Sequence, residues 1–166
     1  MKAYVLFFSL LTTLASCNNT HKNQGPNTKD TSAATIGQKN TPITNLTGCY
    51  LRTQQRDTLA LRLEHDGKDV KGRLTFDNFE KDGSTGSVKG TVTGDILKLI
   101  YDFQSEGMHS VMDVYFKVAD GGLIHGIGEV NVKTDTTYFI DTTQINYPEA
   151  NRLLKVACAS LPSKYK

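Results

Sequence analysis

Val70-Lys71-Gly72-Arg73-Leu74-Thr75, echoed by Val88-Lys89-Gly90-Thr91-Val92-Thr93, decides how the chain is read. In both stretches apolar or small side chains alternate with polar ones, a period of two that puts one set on each face of an extended strand. Ile124-His125-Gly126 repeats part of the pattern. Glycine on the apolar side allows a strand to bend sharply where a barrel coils or a bulky neighbour crosses.

The same alternation continues on both sides. Leu59/Leu61/Leu63 precede the first stretch, and Leu97/Leu99/Tyr101/Phe103 and Met112/Val114/Phe116/Val118 follow the second. Gly48 to Thr53, Leu123 to Val132 and Thr134 to Thr142 complete a set of about eight strands. Asp66-Gly67, Asp82-Gly83, Gly94-Asp95, Glu106-Gly107 and Gly121-Gly122 are turn signals between them. Connections this short exclude parallel crossovers, so neighbours should pair antiparallel. A twisted meander of that many strands removes its exposed edges by closing. The expected fold is mainly β: a single antiparallel eight-stranded meander barrel.

After Pro148 the period changes. Ala150, Leu153, Leu154, Ala157, Cys158 and Leu161 fall three and four apart, which predicts a C-terminal α-helix ending before Pro162.

At the other end, one cation at Lys2 and an apolar run from Tyr4 to Leu14 lead into Leu14-Ala15-Ser16-Cys17. That order resembles the lipobox of bacterial lipoproteins. The resemblance implies cleavage before Cys17, lipidation of that cysteine, and a membrane as partner through the lipid anchor. Residues 1–16 are therefore read as a signal peptide, since the run is too short for a spanning helix. Asn18, Asn19 and Thr20 follow the cysteine with no Asp, which in enteric-type sorting implies the outer membrane, facing the periplasm. Residues 17–45, rich in Asn, Thr, Ser, Lys and Gln, read as a disordered linker, and 46–166 as the barrel domain.

The chain has 166 residues, so removing 16 leaves 150, enough for one domain with a core. Of 19 Lys and Arg, Lys2, Lys22, Lys29 and Lys39 precede the domain, leaving 15. Of 17 Asp and Glu only Asp30 does, leaving 16. A near-neutral domain with no cationic cluster excludes nucleic acid as a partner.

Lipidation would consume the odd member of three cysteines and leave Cys49 and Cys158 in an export compartment, where thiols tend to oxidise. A Cys49–Cys158 disulfide is expected; two buried free thiols are the alternative.

Chemistry-bearing motifs are sparse. Ser105-Glu106-Gly107-Met108-His109 puts a carboxylate and an imidazole three apart at the head of a strand, as general acid/base work needs, but no other residue completes such a site. The segment is read as an interaction loop on a surface hairpin. His21, His65, His109 and His125 lack the short spacings of a structural zinc site, so no metal and no cofactor are expected. Inward Phe76, Tyr101, Phe103, Met112 and Phe116 are the candidate ligand-lining residues, because an eight-stranded barrel is either filled or holds one small molecule.

Gly48-Cys49-Tyr50 opening the first strand, the meander and the helix resemble the plan of lipocalin-like barrels and of small-barrel lipoproteins of the bacterial envelope. This implies a non-enzymatic binding or scaffold module that takes a small apolar ligand or an envelope protein. A cysteine on an early strand tied to one near the C-terminus also resembles the lipid-anchored inhibitors of c-type lysozyme, which implies inhibition of a hydrolase as the alternative function. An enzyme built on Glu106 and His109 is a third.

Overall fold

Residues 45–165 are described by a computed structural model of the chain. The expected signal peptide, Cys17 and all of the expected 17–45 linker but Asn45 lie outside the described residues.

Six long strands follow in hairpin order: β1 (Gly48–Gln54), β2 (Asp57–Asp66), β3 (Asp69–Asp77), β4 (Ser84–Thr93), β5 (Ile96–Ser105) and β6 (Met108–Ala119). A short β7 (Gly122–His125) pairs with the end of β6, and β10 (Arg152–Val156) pairs with both β7 and β1. The ring β1-β2-β3-β4-β5-β6-β7-β10 is thus closed by antiparallel pairings throughout, the eight-stranded barrel that the alternation predicts.

Parity fixes what lies inside. Leu61 stands opposite both Tyr50 and Leu74, Leu99 opposite Gly90 and Val114, and Phe116 opposite Leu97 and His125. Leu59, Leu61, Leu63, Leu74, Leu97, Leu99, Leu123 and Leu153 are each at most 1% exposed. Burying each contributes about 2 kcal/mol. Inward glycines let the wall coil tightly: a Cβ on Gly72 would lie 1.9 Å from the Arg62 carbonyl oxygen on β2, and one on Gly90 1.9 Å from that of Lys98 on β5.

Two expectations are corrected. Among the described residues no α-helix forms after Pro148: Arg152–Val156 is strand β10, followed by single 3-10 turns at Cys158–Ser160 and Ser163–Tyr165. β1 and β7 would otherwise expose facing rows of backbone N–H and C=O groups, and only an extended segment can pair with both. An isolated helix that short is marginal, so closing the barrel overrides a weak periodicity. Second, residues 123–132 and 134–142 are not two barrel strands. The chain leaves the ring after His125, and β8 (Val130–Lys133) and β9 (Thr136–Phe139) form a side hairpin that pairs in parallel with β6 at Val111 and Met112 and packs Phe139 edge-on against Tyr115. Gly126 marks the break, its backbone packed beneath Ile145 and Tyr147 too closely for a side chain.

The C-terminal segment is a strap across the outside of the barrel. Cys49 faces outward on β1 and is bonded to Cys158, with 5.1 Å between their Cα atoms. Leu161 is buried, and at the far end the Lys164 ammonium and the Tyr165 hydroxyl both donate to Asp77 Oδ2 on β3, the former at 2.6 Å. Those two donors hold the Asp77 carboxyl below its ordinary pKa.

Candidate functional site

The two ends of the barrel differ. At the end where β1 begins, Leu46 plugs the interior: it is 4% exposed, its N–H donates to His65 Nδ1 at 3.1 Å, and its carbonyl accepts from the Tyr50 hydroxyl at 2.9 Å. Inward Leu63, Val70, Leu97 and Leu123 behind it are buried.

At the other end, bounded by the β1–β2, β3–β4 and β5–β6 connections, the inward residues Arg52, Phe76, Ser84, Phe103, Met112 and His125 are only half-buried. Phe76 and Tyr101 lie 5.8 Å apart between ring centroids, Tyr101 stacks on Phe103 at 4.5 Å, and the His125 imidazole lies 5.8 Å from Phe76 and 5.3 Å from Phe116. All five aromatic and thioether residues expected to line a ligand, Phe76, Tyr101, Phe103, Met112 and Phe116, therefore face one interior. Phe116 and Tyr101 form its floor, fully buried, and Phe76, Phe103 and Met112 its rim-side wall.

Polar groups punctuate this wall. Arg52 shares the inward face of β1 with Tyr50, and its Nη1 donates to Asn151 Oδ1 at 2.7 Å; Asn151 Nδ2 in turn donates to the His125 carbonyl at 3.4 Å. Arg52 makes no ion pair among the described residues. Burial lowers its pKa, partly opposed by the Asp57 charge. Its cation is balanced at contact distance only by a neutral amide. Burial, with the Arg52 charge adding to it, pushes His125 down to about 4, so the ring is neutral near pH 7. Burial likewise pushes Tyr101 up to about 12, and its hydroxyl donates to Ser84 Oγ at 3.1 Å. The mouth is therefore lined by apolar side chains, with one cation that no carboxylate pairs among the described residues, a neutral imidazole and two hydroxyls.

The depressed His125 pKa sets a pH dependence. The unfolded imidazole binds a proton near pH 6.5, the folded one near 4, so the neutral ring contributes stability that is fully present above 6.5 and lost as pH falls towards 4. The loss amounts to about 3 kcal/mol at most. Urea midpoints measured between pH 7 and 4 should fall for the parent chain and fall less for His125→Gln.

The Ser105–His109 segment closes the β5–β6 hairpin at the rim. Glu106 and Gly107 both take positive φ, 52° and 76°, as a two-residue hairpin turn of this hand requires. Ser105 Oγ donates to the Gly83 carbonyl at 3.3 Å, and Met108 is 65% exposed. Glu106 and His109 have separate partners. A hydrogen bond shared with Asp82 raises the pKa of Glu106, while His109 Nε2 lies 2.8 Å from Asp102 Oδ1 on the outer wall.

Arg52, Ser84, His125 and Asn151 were not singled out as site residues by sequence. The signal for Arg52 is its spacing of two from Tyr50, which puts both on one face, but a strand of seven residues gives too little pattern to say which face is inside. Asn151 belongs to the segment read as helix, and His125 is an ordinary polar position until β7 is paired. No protein-family model, curated protein or solved structure matches this chain.

Proposed function

We propose that this chain is a non-enzymatic binding protein of the bacterial cell envelope, held by lipid at Cys17. In this reading its barrel takes an elongated apolar molecule with an anionic head. The head sits at Arg52, within reach of the neutral His125 ring as a further donor, and the tail lies against Phe76, Phe103 and Met112. The observation that carries this reading is Arg52: a cation turned into an apolar barrel, bonded to an amide and not to a carboxylate. Leaving a half-buried charge so incompletely matched costs stability, and a bound anion would offset that cost. Few convergent polar groups in a mostly apolar concavity are the common form of a small-molecule site.

The test is fluorescence titration of the chain with a dansyl-labelled long-chain fatty acid and with the corresponding alcohol. The acid should bind tighter than the alcohol. Arg52→Leu should weaken the acid roughly tenfold or more, the worth of a charge-assisted hydrogen bond, and leave the alcohol unchanged. Equal affinity for both probes would remove the anionic head from the account, and uptake of neither would remove the ligand.

The disulfide between an early strand and the C-terminal segment favours one second reading, inhibition of a c-type lysozyme. Undiminished lysozyme turnover in excess of this protein would dismiss it.

A further inference from the structure

β8 is the last strand of the sheet. β9 pairs with one of its edges, and among the described residues nothing pairs with the other. The Ile140 N–H donates to the Glu129 carbonyl at 3.0 Å, so Glu129 turns its backbone towards the β9 side. Alternation along an antiparallel pair turns Asn131 and Lys133 the same way and leaves the N–H and C=O groups of Val130 and Val132 pointing outward. The side chains of these two valines are 47% and 64% exposed. An open edge with apolar side chains is a template for another strand.

The sequence of the edge says which strand. Glu129-Val130-Asn131-Val132-Lys133 is its own antiparallel complement. We propose that β8 is a self-association site, where the β8 of a second copy pairs antiparallel about a two-fold axis at Asn131. In that register Glu129 stands opposite the second copy's Lys133 and Lys133 opposite the second copy's Glu129. Each Val130 exchanges N–H and C=O bonds with the second copy's Val132. The groups that form those bonds are the ones the hairpin leaves pointing outward. The contact is isologous, so it closes at two copies and does not propagate into a fibre. A shift by one residue would oppose Val130 to the second copy's Lys133 and bring inward-turned backbone groups to the edge. Charge and hydrogen bonding therefore select the same register.

At the axis the two Asn131 residues form a non-hydrogen-bonded pair, with Cα atoms about 4.5 Å apart, a spacing that accepts a disulfide. The full-length chain carrying Asn131→Cys, left to oxidise in host membranes, should run at twice its mass on a non-reducing gel. Ser87→Cys, exposed on the outer wall of β4, should not. On the Asn131→Cys background, Glu129→Lys places like charges opposite each other twice and should slow cross-linking about tenfold. Adding Lys133→Glu should restore it, an outcome no loss of folding would produce. Cross-linking at Asn131→Cys no faster than at Ser87→Cys would overturn the proposal, as would a double charge swap that fails to recover.

Discussion

Serine at Cys49 or Cys158 should lower the unfolding free energy by about 4 to 5 kcal/mol, the chain-entropy worth of a bond that closes so long a loop. The two cysteines are 109 residues apart and join the first barrel strand to the strap that follows the last. Without the bond the unfolded chain gains freedom that the folded barrel does not. The strap is then held by the buried Leu161 and by the Asp77 clamp, which is exposed enough to contribute little by itself. Urea unfolding of the soluble domain, followed by circular dichroism with and without reductant, measures the effect. The parent in reductant should match Cys158→Ser, and Cys158→Ser should be indifferent to reductant. A parent insensitive to reductant would contradict the structural role assigned to the bond.

Valine at Gly90 should be comparably damaging. A Cβ there would lie 1.9 Å from the Lys98 carbonyl oxygen and 2.9 Å from the Leu99 Cα, both backbone atoms of a paired strand that cannot move without opening the β4–β5 ladder. The expected loss is about 4 kcal/mol or more, in the range of severe core changes, and the variant should collect in the insoluble fraction. Gly94→Ala is the control. It sits in the next turn at φ 58° with nothing within 4 Å of the added carbon, so only the left-handed conformation is penalised, at about 1 to 2 kcal/mol. Equal solubility and midpoints for the two variants would mean that the wall does not coil as described.

Strands β2 to β6 were legible because each carries a long alternation and ends at a turn residue, so period and punctuation agree. The closing strand was not. Leu153 and Leu154 are adjacent, one inward and one 56% exposed, and with Ala150, Ala157 and Leu161 they mimic a helical stripe. What makes them a strand is the open gap between β1 and β7, which exists only after the other strands are placed. The side hairpin was hidden for a related reason: Val130 and Val132 alternate as a half-buried strand would, yet they are exposed on a free edge.

The site was legible in its apolar part. Phe76, Tyr101, Phe103, Met112 and Phe116 share the parity of the leucines around them, and parity alone turns them inward. Its polar part was not, because Arg52 and Asn151 lie 99 residues apart and meet only where β10 closes the ring. The disulfide came from counting: with one cysteine assigned to lipid, two remained, and they are the pair that is bonded.

We propose that the barrel mouth holds an apolar molecule by an anionic head at Arg52. Native mass spectrometry of the full chain purified from its own host is the decisive measurement, with the denatured mass of the same sample giving the covalent chain alone. The native mass should exceed the denatured one by a single small molecule, an excess lost in Arg52→Leu. Native and denatured masses that coincide in the parent, or an excess that Arg52→Leu leaves intact, would contradict it.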